Sequence, residues 1–437
     1  MENLLSPSLL IPAILDMPTS HDNGQTEDRR GTGLEDLPDE LILHIFTDLT
    51  LPDGSCDALL ALEDIEDAEI FQKVPDYVMD HARREDILTT LAALSLTSKR
   101  MHNIVEPLLY HTFPYPYSEN SHRALIRTIL KEPRLGKLVK TVSGRHGFYG
   151  HDNTAPSEAE KTEWSEVVDR HLGILNPFEE AFEKGSISLE ILFLLILTPN
   201  IRHVHLLEGR GGMHLNDRFY IALELILDNP MQTDINDFRH LDTIALCVGH
   251  ESLHDALGAC LRLPKLRVLE LHDFTEREEF MEDLPDYFGL KNKTIKELSL
   301  IGLCVEAPDT TDAIFDLFDA LEVVQIVYKN GWWGSVELWD PSRLTHVLKS
   351  YHATLKTFKL SVEPDYGMTL IRHDDSWGDW ERLGTLGDFQ ALTELHIPDI
   401  ALSSPTIGDG QRRPGLAHLL PSTIKVLTLE CLSLIHI

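Results

Sequence analysis

Residues 250–254 read His-Glu-Ser-Leu-His, two histidines one helical turn apart with a glutamate beside the first. On a helix that spacing suits a zinc ion held by both imidazoles, with Glu251 as general base for hydrolysis. The longer form of the pattern fails, because Leu257 stands where a glycine is needed and Cys260 where a third histidine belongs. Glu276 or Glu278 would have to complete the metal site. A chain with 22 histidines meets so short a pattern by chance, and the segment reads as an ordinary outer helix between two strands. A zinc metalloprotease at residues 250–254 is therefore the remote alternative, and the expectation is a non-enzyme with no metal or cofactor. Arg372, His373, Asp374 and Asp375 form a second group of acid–base types, but in a polar stretch that reads as a solvated loop. GxSxG, P-loop and GxGxxG patterns do not occur, which removes the common hydrolase, nucleotide and dinucleotide signals.

Five of the six tryptophans fall in two windows, Tyr328 to Trp339 with Trp332, Trp333 and Trp339, and Ser376 to Trp380 with Trp377 and Trp380. Tryptophan supplies large contact area and concentrates at interface hot spots. Trp332, Trp333 and Trp377 are therefore candidate contacts for a protein partner, against the plainer reading that the rings fill gaps between irregular elements.

The elements that would carry these groups show a recurring frame: an apolar residue, a second three positions on, and a third two positions later. Its eight copies are Ile201-Val204-Leu206, Leu241-Ile244-Leu246, Leu266-Leu269-Leu271, Ile295-Leu298-Leu300, Leu321-Val324-Ile326, Leu355-Phe358-Leu360, Leu392-Leu395-Ile397 and Ile424-Leu427-Leu429. The last two positions of each lie on one face of a strand, and the first tucks into the turn entering it. Starts are 25 to 40 residues apart, an irregular spacing that implies insertions. Helical patterns fill the intervals, as at Asp217–Leu227, Glu251–Leu261 and Asp312–Leu321. His205, Glu270, Gln325, Lys359 and His396 occupy the position between the last two apolar residues and point to the opposite, concave side, where stacked repeats commonly bind partners. They are candidate substrate contacts of no single charge sign. An earlier, imperfect copy runs through Leu135, Leu138 and Val142. Around it, residues 113–197 read as a bridge with a polar loop at Ser143–Thr162 and helices at Trp164–Leu175 and Ser188–Leu197.

At 437 residues the chain exceeds one ordinary core, and a small module plus a larger body is the natural division. A net charge of −33 would repel phosphate backbones and anionic membranes. Nucleic-acid and membrane binding are not expected. The five cysteines are scattered, odd in number and without a CxxC pair, which suits a reducing compartment, cytoplasmic or nuclear. Leu4–Leu15 is apolar but follows Glu2 and is broken by Pro7 and Pro12, unlike a secretory leader. Residues 1–33 read as a disordered tail.

Two segments remain. Residues 37–46 read LPDELILHIF and residues 91–110 read LAALSLTSKRMHNIVEPLLY. Pro38 fits a helix's first turn, and Leu41, Ile45 and Phe46 form an apolar stripe behind it. Together the segments resemble an F-box, and the eight-copy frame is similar to leucine-rich repeats. The chain thus resembles fungal-type F-box proteins with divergent repeats. The resemblance implies an α/β fold, with a small helical module at residues 34–112 and an irregular solenoid at 198–437, parallel strands inside and helices outside. It implies adaptor contacts at Leu37, Pro38, Leu41, Ile45, Phe46, Leu94, Leu96 and Ser98, docking on a Skp-family adaptor and through it on a cullin ubiquitin ligase. The repeats would then hold an unknown protein substrate, or the chain would act as a scaffold outside any ligase. Thr97 stands where the family usually has valine and Met101 where it has a large aromatic. An acidic insertion at about residues 50–90 splits the module, with a helical pattern at Ala58–Phe71. The end at Ile437, just past the last frame copy, reads as a truncation, and the final LSLIHI as adapter-derived sequence.

Overall fold

The computed structural model describes residues 37–39, 41–43, 87–115, 121–146, 156–172, 178, 182–183, 187–208, 217–228, 238–248, 253–272, 291–303, 308–329, 341–363, 383–398, 401 and 419–430. The expected tail, the acidic insertion up to residue 86, Ala58–Phe71 and the final residues lie outside them. In chain order the first elements are α1 (Lys99–His111), β1 (Thr112–Tyr115), α2 (Ser121–Lys131), α3 (Pro133–Gly136), β2 (Thr141–His146), α4 (Glu158–Leu172), α5 (Ile187–Ile196) and β3 (His203–Glu208). They continue as α6 (Asp217–Asp228), β4 (Thr243–Cys247), α7 (Leu253–Leu261), β5 (Val268–His272), β6 (Glu297–Leu303), α8 (Pro308–Asp316), β7 (Val323–Lys329), α9 (Pro341–Leu348), β8 (Thr357–Glu363), β9 (Glu394–Pro398) and β10 (Val426–Glu430). Residues 39, 41–43 and 87–95 are also helical. This is an α/β architecture of parallel strands and intervening helices. None of its described helices is long and apolar enough to cross a membrane.

The chain divides into two compact units. The first comprises Met1–Asp152, Glu190–Ile201 and Gly209–Gly212; the second comprises Asn153–Leu189, Arg202–Glu208 and Met213–Ile437.

In the second unit β3 to β10 pair in chain order, every pairing parallel. The frame explains why. Parallel neighbours require crossovers, which the 25- to 40-residue intervals supply, and all three frame positions of the first seven copies are no more than 2% exposed. At β10 the burial fails: Val426 is 47% and Leu429 40% exposed.

The strands are also stitched at their entrances. The carbonyl of the residue directly after each first frame position receives two backbone N–H groups from the next copy. Arg202 accepts from Asp242 and Thr243, Asp242 from Arg267 and Val268, and Arg267 from Lys296 and Glu297. The series continues with Lys296 accepting from Glu322 and Val323, Glu322 from Lys356 and Thr357, Lys356 from Thr393 and Glu394, and Thr393 from Lys425 and Val426. Seven doubled contacts fix the register at the point where each strand begins.

Helices follow the expected periodicity with two instructive shifts. α8 starts at Pro308, four residues earlier than expected, since proline suits a helix's first turn. It stops at Asp316, because Leu317 and Phe318 turn back on the Ile314 and Phe315 carbonyls and Asp319 N–H donates to the Asn292 carbonyl. Both ends of the loop expected at Ser143–Thr162 belong to regular elements. Its start belongs to β2, which pairs with β1 in parallel. Its end belongs to α4, entered through a capping box in which Ser157 N–H donates to Glu160 Oε2 at 2.9 Å. The one tryptophan outside the two aromatic windows, Trp164 on α4, is fully buried, edge-on to Phe182 at 5.3 Å.

The first unit contains β1, β2, α1, α2 and α3, with most of α5. β1 was not expected, because the proline of its TFPY sequence hides the strand pattern. Glu190 on α5 is fully buried, accepting from His122 Nε2 at 2.6 Å and from Arg123 Nε and Nη2 at 2.7 Å each. Gly136 closes α3 against the end of the α5 segment. A Cβ there would stand 2.3 Å from the Leu197 carbonyl oxygen and 3.0 Å from Ile129 Cγ2. Gly136→Ala is therefore expected to lower stability by about 1–3 kcal/mol, read as a lower urea midpoint with unchanged m-value.

Candidate partner-binding surfaces

The two F-box-like segments meet. Ile42, Leu91, Met101 and Val105 form a buried cluster, and Leu37, Ile87, Leu94, Ile104, Leu108 and Leu109 pack against it half-buried. The Leu41 and Ile42 N–H groups both reach the Pro38 carbonyl at 3.1 Å, which makes the first helical turn. Arg100 ties that turn to the start of α1, its Nε donating to Asp39 Oδ1 at 2.7 Å and its Nη2 to the Leu37 carbonyl. Ser98 is the N-cap of α1, its Oγ accepting from Met101 N–H at 3.1 Å. Thr97 Oγ1 donates to the Leu94 carbonyl at 2.8 Å, and Met101 fills the cluster core.

The predicted adaptor residues thus divide by what they touch. Leu37 and Leu94 brace the cluster, Ser98 caps the helix, and Pro38, Leu41 and Leu96 face outward. Ile45 and Phe46 lie outside the described residues. Leu43, which the stripe pattern passed over, joins the outward group. Leu41, Leu43 and Leu96 are 49%, 43% and 60% exposed, half of the six large apolar side chains so exposed among the described residues.

In the second unit His205, Glu270, Gln325, Lys359 and His396 fall into a single row. Register carries it from His205 through Ala245, Glu270, Ser299, Gln325, Lys359 and His396 to Thr428. Strand alternation sets this row on the face opposite the frame positions; all five predicted residues are half-exposed, whereas Ala245 between them is fully buried. Local bonds fix Glu270 and His396. Glu270 accepts from His272 two residues on, and Glu394 accepts from His396 Nε2 at 2.8 Å and from Thr357 Oγ1 at 3.2 Å. The His396 bond, opposed by some desolvation, holds the Glu394 carboxyl below its usual range. Ser361 Oγ donates to Glu430 Oε1 at 3.0 Å across the same face. The row can therefore offer oriented donors and acceptors to a polypeptide.

The histidine motif is only partly described. His254 stands half-buried on α7, its Nδ1 3.6 Å from Asp255 Oδ1, while His250, Glu251, Glu276 and Glu278 lie outside the described residues. Ala256, Leu257, Ala259 and Cys260 pack α7 inward, and burial pushes the Cys260 thiol up to about 12. Among the described residues no three His, Cys, Asp or Glu side chains converge as a metal site. Trp332, Trp333, Trp339, Trp377, Trp380 and Arg372–Asp375 also fall outside the described residues. No protein-family model and no curated protein matches this chain.

Proposed function

We propose that this protein is the substrate-recognition subunit of a Skp-cullin-F-box E3 ubiquitin ligase. The helical cluster docks on the adaptor, and the row on the parallel sheet holds a target protein. Such a receptor performs no chemistry; it raises the effective concentration of target beside a ubiquitin-charged enzyme.

One observation carries the reading. The two F-box-like segments, 43 residues apart between Leu43 and Ile87, close on a common core and leave Leu41, Leu43 and Leu96 in water. A small module that exposes three leucines after satisfying its own core is built for an apolar partner. The exposed leucines give the cleanest test. Leu96→Glu is expected to abolish copurification with a Skp-family adaptor while leaving the thermal midpoint nearly unchanged, since Leu96 is 60% exposed. Capture that survives both Leu96→Glu and Leu41→Glu, or a wild type that captures no adaptor, sinks the proposal. Leu37→Ala is a poorer probe, because Leu37 also packs on the cluster.

A further inference from the structure

We propose that the turns entering β5 and β6 form a docking edge for a short acidic segment of a partner protein. Arg262, Lys265 and Arg267 precede β5, and Lys291, Lys293 and Lys296 precede β6, with no acidic residue in either turn, 262–267 or 291–296. In a chain that carries −33, these two turns gather six cations, with Glu297 just after the second turn and Asp242 and Glu322 at the adjoining strand entrances. Three of them are already engaged: Arg262 with Glu224 at 3.9 Å, Lys291 with Asp316 at 3.5 Å, and Lys296 Nζ with the Ala320 carbonyl at 3.4 Å. Lys265, Arg267 and Lys293 are exposed and make no side-chain ion pair or hydrogen bond among the described residues. Glu322, at the entrance to β7, feels the charges of Arg267 and Lys296, but its own bond is to Lys356 at 2.6 Å.

The edge is rigid. Asn292 Nδ2 donates to the Leu261 carbonyl at 2.9 Å, tying one turn to the other, while its Oδ1 accepts from the N–H groups of Thr294 and Ile295 at 2.9 Å each. Lys296 and Glu297 N–H both close on the Arg267 carbonyl, at 2.8 and 3.0 Å. Cations anchored on neighbouring strands stand roughly 5 Å apart at their backbones. That is within the screening length of about 8 Å at physiological salt. They act on a ligand together, from a backbone that need not reorganise.

Charge complementarity selects an anionic partner, and two features favour a protein segment over a nucleic acid. Neither turn carries an aromatic residue on which bases would stack, and beyond the six cations a long phosphodiester would meet the field of a strongly acidic chain. A run of three to five carboxylates matches the edge without overrunning it. The surface uses none of the proposed adaptor residues and does not depend on that reading.

Fluorescence anisotropy of the full chain with a fluorescein-labelled deca-glutamate peptide tests it. Saturable binding is expected at 50 mM salt, weakening roughly tenfold at 200 mM. Lys265→Glu with Arg267→Glu and Lys293→Glu is expected to cut affinity by roughly tenfold or more, as is the milder triple change to glutamine, with the thermal midpoint unchanged. The control reversal of exposed Arg127, Lys131 and Lys137 should leave binding intact. No saturable binding, equal loss in the control, or tighter binding of a labelled 20-nucleotide RNA overturns the proposal.

Discussion

Replacing Glu190 by alanine is expected to destabilise the first unit by about 3–5 kcal/mol. The carboxylate is wholly buried and accepts three hydrogen bonds, one from His122 and two from Arg123. Removing it strips the shared acceptor from two side chains that are themselves no more than 9% exposed. The cost is less the loss of attraction than the charge left behind in a low-dielectric interior. Burial works against ionisation of Glu190, but the hydrogen bonds and charges of His122 and Arg123 outweigh it and hold the carboxyl below its ordinary value of 4.5. A carboxyl depressed in the folded state stabilises fully above its unfolded value, and that contribution is lost as pH falls through the folded one. Urea unfolding of wild type should therefore weaken below about pH 4.5. Glu190→Gln should be less stable at neutral pH and flatter across that acid range. A variant as stable as wild type at pH 7 would mean that the trio contributes nothing net.

Phe358→Ala is expected to cost the second unit a similar amount, about 3–5 kcal/mol. Phe358 sits at the second frame position of β8, fully buried, in register with Val324 on β7 and Leu395 on β9. Both neighbours are held at the entrances of their strands by doubled backbone hydrogen bonds, so the sheet cannot easily collapse into the space a lost ring leaves. The cavity term should then add nearly in full to the transfer term. Leu429→Ala on β10 supplies the contrast. At 40% exposure the same kind of truncation should cost less than about 1 kcal/mol. Denaturant midpoints of the two variants measure the difference directly.

The parallel strands were legible because their cause is local and periodic. An apolar triplet at offsets 0, 3 and 5 marks a turn entry and two core positions, and β3 to β10 each fall on a copy. α6 and α7 were legible for the same reason. β1 was not, because four residues containing a proline carry no alternation, and α8 began early because its start is set by Pro308 rather than by its apolar face. The doubled carbonyl contacts could not be read from side chains at all, since they use backbone atoms that every residue owns. At the proposed partner surfaces, pattern identified the row from His205 to His396. The F-box resemblance grouped Leu37, Leu94 and Ser98 with Leu41 and Leu96; in the structure the first three brace or cap the cluster and the last two face water. One-dimensional spacing locates a helical stripe but not the element that covers part of it. The basic edge escaped notice because its six cations lie in two turns, brought side by side only when β5 and β6 pair.

The doubled contacts at the strand entrances reach no further than the adjacent copy, which gives the second unit an unusual mechanical character. Under tension it is a row of bonds in series, each loaded only after its neighbour has given way. Pulled from the side of β10, where Val426 and Leu429 are least covered, strands should detach singly. The frame copies starting at Leu392, Leu355 and Leu321 precede that of Ile424 at intervals of 32, 37 and 34 residues. At roughly 3.4 Å of extended chain per residue, optical-trap traces should show successive lengthenings of about 11, 13 and 12 nm. The irregular spacing that obscures the repeat in the sequence would become a ruler, each step naming the strand that released it.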